Sequence, residues 1–397
     1  MVFSGWINVP ACRGLFRRSI VTASCSFVLL SGYLILNGWD HYLAKIQTSA
    51  PSISGQLIHD CLWSLGLPTP AYNYTVTVEE RSMPLAYSIL VYTEPERTTR
   101  LLTAIYRPHN FYCIHVDRKS HFGVSHFLKT HQKCFGPNVF IVPYELRSNV
   151  RWGYVSVLEP EITCAGLLIR RSGEWRYWIN LTGQEFPLRT NRELVLALKA
   201  LNGTNLVGAT FKLRNLWRFP TSTRLGVTWY KGAVHVVLRR EFVEYMLNDN
   251  KALRLLEELK QYEASKGVGI HPDETYFATL NHNPHIFPIP GSFLGVHEYE
   301  HTDTFIRYKV WQGIGKPCGS EQFVRSICMF GIRDLPRLFH TPHFFANKFI
   351  PGVDPLAYTA MESWLAMKVA FESSYGTTHP SFNVSVYAKH ELAWNHL

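Results

Sequence analysis

The chain is 397 residues long and 46% hydrophobic, enough apolar material for a sizeable packed core in one large or two medium domains. Its net charge of +10 comes from bases scattered along the chain with no block of Lys and Arg, which argues against a nucleic-acid surface. What remains is an anionic membrane or a phosphorylated ligand, and a nucleotide diphosphate needs only a few well-placed cations. Aromatic residues make up 14%; they fill cores first, but they also stack on sugar rings.

Residues 19–39 carry no charge and have the length, about 20 residues, that a helix needs to cross a bilayer. Arg13, Arg17 and Arg18 precede this run and no acid appears before Asp40, so the positive-inside rule keeps the N-terminus cytosolic. The alternative is a cleaved signal peptide, but the run is long for one and no small-x-small cleavage site follows it. The expected organisation is a cytosolic tail over 1–18, a type II transmembrane signal-anchor over 19–39, a stem and lead-in over 40–84, and a luminal catalytic domain over 85–397. Of the 8 cysteines, Cys12 and Cys25 belong to the tail and anchor. Cys61, Cys113, Cys134, Cys164, Cys318 and Cys328 form an even set in an oxidising lumen, which suggests disulfides whose pairing the sequence leaves open. No CxxC pair supports a zinc site. Sequons at Asn73, Asn202 and Asn383 are expected acceptor sites for N-glycans, whereas Asn180 sits in an apolar run and is expected to be buried and unmodified.

Beyond the stem, residues 86–92 read as an apolar strand, 96–106 as a helix, and 110–117 as a second strand ending in Asp117. Strand, helix, strand argues for a βαβ unit and a parallel sheet, and such sheets bind ligands beyond the carboxyl ends of their strands. Residues 139–142 and 177–181 are further strands; 192–201, 241–261 and 274–281 read as helices. No internal repeat interrupts them, so one catalytic domain is expected.

Six segments in this order resemble the β-1,6-N-acetylglucosaminyltransferases that branch mucin O-glycans, the core 2 enzymes of glycosyltransferase family 14, which are related to the peptide O-xylosyltransferases. They are Ala86-Tyr87-Ser88-Ile89, Phe111-Tyr112-Cys113-Ile114-His115-Val116-Asp117, Ile179-Asn180-Leu181, Pro272-Asp273-Glu274, Val324-Arg325-Ser326-Ile327-Cys328 and Phe345-Ala346-Asn347-Lys348-Phe349. The resemblance covers roughly 57–370 and implies an α/β fold of the GT-A-like, Rossmann-like glycosyltransferase class. It also implies a Golgi membrane protein, single-pass type II, with a UDP-sugar donor and an O-glycan or glycoprotein as partners. The implied reaction is inverting transfer of GlcNAc from UDP-GlcNAc, in β-1,6 linkage, onto a core 1-like mucin glycan. The alternatives are a glucosyl or xylosyl donor, and a non-catalytic glycan-binding relative.

The resemblance assigns roles residue by residue. Asp117 would hold the nucleoside beside Val91, with Trp152 where the branching enzymes carry Tyr. Most GT-A enzymes hold a metal through a DxD motif; none occurs near Asp117, so metal independence and no cofactor are expected, with Arg325 and Lys348 stabilising the leaving diphosphate. Glu274 would be the base that takes the proton from the acceptor hydroxyl. Glu185, where the family usually has Asp, would hold sugar hydroxyls, and Lys212, Trp217 and Trp311 would bind the acceptor. The implied disulfides are Cys61–Cys134, Cys113–Cys164 and Cys318–Cys328. On the acceptor side the chain departs from the pattern: the stretch from Asn205 to Lys231 is short, Val207 replaces an acid, and Tyr92 and Thr93 replace two histidines.

Overall fold

The computed structural model describes residues 53–295, 298, 304–350 and 352–397. The expected tail, anchor and first part of the stem lie outside the described residues; among those described, no helix is long and apolar enough to cross a membrane.

A mixed six-stranded sheet organises the described residues as one compact unit. Strands β1 (Leu85–Val91), β2 (Phe111–Val116), β3 (Val139–Ile141) and β4 (Tyr177–Thr182) run parallel in the order β3-β2-β1-β4. A short strand, β5 (Glu185–Pro187), follows β4, and β6 (Leu206–Thr210) and β7 (Lys231–Arg239) then complete the large sheet, β7 antiparallel to both β4 and β6. Strand alternation divides the core between the two faces of this sheet. Leu85, Tyr87, Ile89 and Val91 join one cluster with Tyr177, Ile179 and Leu181, while Ala86, Cys113 and Trp178 join another on the opposite face. Burial on both faces is why β1 and β4 read as continuous apolar runs.

From β1 the chain crosses to β2 on one side, and later to β4 on the other. That reversal opens a crevice at the carboxyl ends of β1 and β4, the usual ligand position in open α/β sheets. Antiparallel β7 brings its amino end, Lys231, to the same edge. A smaller sheet follows, with β8 (Arg307–Tyr308) and β11 (Phe345–Asn347) ordered β5-β11-β8. Between them lies a hairpin of β9 (Phe323–Val324) and β10 (Ile327–Cys328).

Three sequence expectations change. The lead-in is part of the folded body well before residue 85: helix Gly55–Ser64 buries Ile58 and Leu62 and is stapled by Cys61–Cys134. Its first residue must be glycine, because a Cβ at Gly55 would sit 1.9 Å from the Tyr72 carbonyl oxygen. The single helix expected over 241–261 is two, Arg240–Asn248 and Asn250–Lys266. Asp249 breaks it by taking extended dihedrals and capping the second helix, its carboxylate accepting from Lys251 N and Ala252 N. Finally, Pro272–Glu274 is a 3₁₀ turn, and the α-helix starts afterwards, at Tyr276–Asn281.

The three disulfides are Cys61–Cys134, Cys113–Cys164 and Cys318–Cys328, the pairs implied by the resemblance. Asn73, Asn202 and Asn383 are exposed, and Asn180 is buried with its amide donating to Glu161 Oε1 (3.2 Å) and Val234 O (2.7 Å). Glu161 itself, on helix Glu159–Arg171, also accepts from Ser88 Oγ (2.5 Å). Burial raises its pKa from 4.5 to about 8 against these two hydrogen bonds.

A carboxyl that holds its proton only when folded loses stability as pH climbs from its unfolded value towards its folded one. The Glu161 contribution should therefore be fully present below about pH 4.5 and disappear by about pH 8. Glu161→Gln, which keeps a neutral hydrogen-bonding group there, should flatten the decline of the urea midpoint between roughly pH 5 and 8. A variant midpoint falling as steeply as the wild type's would place the protonation elsewhere.

Candidate active site

Asp117 follows directly after β2, with its amide donating to Val91 O at the end of β1 (2.8 Å). Its Oδ1 accepts from Lys119 N (2.9 Å), and the Lys119 ammonium lies 3.5 Å from Oδ2. Asp117 and Val91 are thus paired at the carboxyl edge of the sheet, both almost fully buried. A carboxylate in this position can accept from N–H or O–H groups of a ligand lying across the strand ends.

Glu274 lies at the end of the 3₁₀ turn, 2.5 Å from Arg218 Nη1, with about a third of its side chain exposed. Arg218 belongs to the 3₁₀ turn Leu216–Arg218, which also carries the exposed Trp217. His271 props the Glu274 turn: it adopts a left-handed backbone conformation (φ 54°), accepts from Glu274 N (3.1 Å) and donates its own amide to Gly153 O (2.7 Å). A non-glycine residue held in that region is a strained arrangement of the kind that collects at functional sites. The His271 ring meets Trp152 edge-on at 4.6 Å and Trp217 at 6.4 Å. Burial lowers the His271 pKa, and Arg218 pushes in the same direction, so the ring is a neutral prop rather than a charge.

Arg325 is presented by the two-residue turn of the β9–β10 hairpin, where Arg325 and Ser326 both have positive φ (51° and 60°), the geometry of a type I′ turn. Its guanidinium stands 4.8 Å from the Trp152 ring centroid. Cys318–Cys328 anchors the hairpin base, and residue Trp311 forms a bridge with Ile327 beside it. Lys348 follows β11 and is 92% buried, its carbonyl accepting from Phe330 N (3.0 Å). Burial lowers the Lys348 pKa, and the like charge of Arg325 lowers it further, as expected of two cations brought close without an anion between them.

Glu185 changes role. Expected to contact sugar hydroxyls, it has no exposure at all. Its Oε1 lies 2.8 Å from His235 Nε2 and 3.1 Å from Asn347 Nδ2, and Arg307 Nε stands 3.1 Å from Oε2. A carboxylate so enclosed positions other groups and does not touch a glycan. Burial alone would raise its pKa, but Arg307 and then His235 prevail and bring it to about 2. Beyond His235 stands Lys309, with Nζ 3.0 Å from His235 Nδ1.

Of the sequence-expected residues, the structure groups Glu274, Trp152, Arg325 and Lys348, with Trp217 and Trp311 exposed at their margins. Lys212 stands apart: its amide donates to Glu298 (3.2 Å), and among the described residues no hydrogen bond or ion pair joins it to Glu274 or Arg218. Val207 is buried in β6 and cannot contact a ligand. Sequence reasoning passed over His235, His271, Arg307 and Lys309. For Arg307 and Lys309 there was one usable signal: they alternate with Tyr308 and Val310, which are core residues, and share a face with Trp311. A cavity of about 790 Å³, bounded by Tyr308, Lys316, Arg333 and Arg337 among others, contains none of the grouped residues.

A model of the Core-2/I-Branching enzyme family matches residues 85–339. Beta-1,3-galactosyl-O-glycosyl-glycoprotein beta-1,6-N-acetylglucosaminyltransferase 3 of Ovis aries is 33% identical over 330 residues, covering 75% of this chain and 71% of the relative. The Homo sapiens protein of that name is 32% identical over 331 residues (75% and 72%), and the number 4 protein of Danio rerio 30% over 321 residues (74% and 72%). A solved structure titled 4-diphosphocytidyl-2C-methyl-D-erythritol synthase, from Anaerococcus prevotii, is 9% identical with a TM-score of 0.28, covering 45% of this chain and 79% of that one; a likeness this slight supports no conclusion.

The Trp152 loop offers a direct check. Gly153 has φ +81°, and a Cβ there would lie 3.1 Å from the His271 ring. Gly153→Ala should lower stability by about 1 kcal/mol or more, read from the urea midpoint. Because the same loop carries Trp152 and props His271, turnover should fall with it.

Proposed function

This chain belongs to the Core-2/I-branching enzyme family, and from that premise we propose that it is an inverting glycosyltransferase transferring GlcNAc from UDP-GlcNAc, in β-1,6 linkage, to a core 1-like O-glycan on a glycoprotein. The proposal includes a GT-A-like assignment for the mixed α/β body, anchorage in the Golgi membrane through residues 19–39, and N-glycans on Asn73, Asn202 and Asn383. The observation that carries it is the placement of one part-exposed carboxylate, Glu274, in the same group as two closely placed cations, Arg325 and Lys348.

Each group has a defined task. Asp117 and Val91 receive the nucleoside at the ends of β1 and β2, with Trp152 available to pack on it. Arg325 grips the diphosphate from the hairpin tip, and Lys348 supplies a fixed point charge from below. As the acceptor 6-hydroxyl attacks the anomeric carbon, Glu274 takes its proton; the bond from that carbon to the diphosphate oxygen breaks, and the electron pair leaves with UDP. Displacement from the opposite face turns the α-linked donor into a β product. The two cations meet the charge that develops on the leaving oxygen, the task a metal performs in other enzymes, so metal independence is part of the proposal. Trp217 and Trp311 offer exposed rings on which acceptor sugars can stack.

The test is UDP release by the purified full chain from UDP-GlcNAc, UDP-Glc and UDP-xylose, with a Galβ1,3GalNAc acceptor, with and without EDTA. Release should need acceptor, prefer UDP-GlcNAc and survive EDTA. Glu274→Gln should lower kcat by roughly 10²-fold or more, and Lys348→Met should raise the donor KM. Loss of activity in EDTA would overturn the role given to Arg325 and Lys348, and preference for another donor would overturn the sugar.

A further inference from the structure

Among the described residues, Lys309 is a cation with no carboxylate at ion-pair distance. Among the described residues, its hydrogen bond is to His235 Nδ1 at 3.0 Å. Because His235 Nε2 faces the Glu185 carboxylate at 2.8 Å, that nitrogen carries the ring proton and Nδ1 presents its lone pair to the ammonium. The imidazole is neutral: burial lowers its pKa to about 3, with Lys309 acting in the same direction. The nearby carboxylates are already committed, Glu185 to Arg307 (3.1 Å) and Glu274 to Arg218 (2.5 Å). A donor diphosphate, which brings two negative charges, is matched by Arg325 and Lys348. Among the described residues one positive charge is left over, on a side chain near enough to Glu274 and Lys348 for both charges to act on it.

Its position indicates which substrate neutralises it. Lys309 and Trp311 are two residues apart on one extended segment and so share a face, with Nζ 5.9 Å from the Trp311 ring centroid. Tyr308 and Val310 point the other way, into the core. A sugar stacked on the part-exposed Trp311 would therefore lie beside the ammonium, and the acceptor hydroxyl must in any case approach Glu274. We infer that Lys309 anchors a carboxylate on the acceptor, so that the preferred acceptor is an O-glycan carrying an acidic sugar rather than the neutral disaccharide. This rests on the transferase reading above and specifies the acceptor class within it. Burial lowers the Lys309 pKa to about 8, helped by Arg307 and Lys348 and opposed by Glu185 and Glu274, so the ammonium is charged at neutral pH.

The experiment is direct titration of the full chain, saturated with UDP, with Galβ1,3GalNAc and with the same disaccharide bearing a sialic acid on galactose. The wild type should bind the acidic glycan roughly tenfold or more tightly than the neutral one, the scale of a hydrogen bond to a charged group. Lys309→Met should abolish that difference and leave UDP affinity unchanged, while Lys309→Arg should retain much of it. Equal binding of the two glycans by the wild type, or binding of neither, overturns the inference. So does a Lys309→Met variant that loses UDP affinity yet keeps the glycan preference, since Lys309 would then be a third diphosphate ligand. A Lys309-dependent preference for UDP-glucuronate over UDP-GlcNAc would move the carboxylate to the donor and overturn the acceptor assignment. Binding is read without turnover, so a chain that prefers the acidic glycan but releases no UDP refutes transfer and leaves the anchor standing.

Discussion

Glu185 ties together strands of both sheets. It lies on β5, and its carboxylate reaches Arg307 on β8, Asn347 on β11 and His235 on β7, while Thr182 N at the end of β4 points to it from 3.4 Å. The small sheet is thereby fastened to the large one at the edge where ligands are expected. Strand pairing sets the distances: Asn347 sits directly opposite Glu185 across β5–β11, so the amide meets the carboxylate without either side chain bending. A buried charge of this kind is tolerable only when its partners are complete; removing one partner from a buried pair typically costs about 3–5 kcal/mol. The positions of Lys309, on the strand segment after Arg307, and of Lys348, directly after Asn347, follow from this junction.

The charges differ in how they are matched. Glu185 with Arg307, and Lys368 with Glu193 at 2.6 Å, are pairs with almost no exposure. Arg325 at a hairpin tip, the largely buried Lys348 and Lys309 make a mostly positive layer, in which Lys348 feels the charges of the other two. Bringing these cations together opposes folding slightly, and an anionic ligand relieves it. Exposed rings at Trp152, Trp217 and Trp311 border this layer and provide apolar surface for a nucleoside or a sugar.

How much of this was legible in the sequence differs from residue to residue. The runs forming β1, β2 and β4 were readable because a strand buried on both faces is apolar throughout. Asp117 was readable as a strand-end carboxylate for the same reason. The antiparallel strand β7 was not, since its apolar stretch is interrupted by His235, whose polarity makes sense only once Glu185 and Lys309 are placed on either side. The expected helix over 241–261 hid a break because apolar residues recur at helical spacing on both sides of Asp249; the Asp caps the second helix because the chain turns at that point. Glu185 was given to sugar hydroxyls by the resemblance, and its complete burial depends on β11 and β8 covering it.

The segments that carry Glu274, Arg325 and Lys348 were singled out by family resemblance; what the residues themselves determined were strand and helix periods, the sequons and the even cysteine set. Their physical basis is local, since a side-chain period of two or of 3.6 needs no distant partner. Tertiary structure alone decided which of those groups meet. That Glu274 is held by Arg218, that His271 supports both Trp152 and the Glu274 turn, and that Lys309 has a neutral neighbour are outcomes of packing between segments far apart in the chain. Charge balance is a sum over neighbours in space, and only the fold says which neighbours are counted.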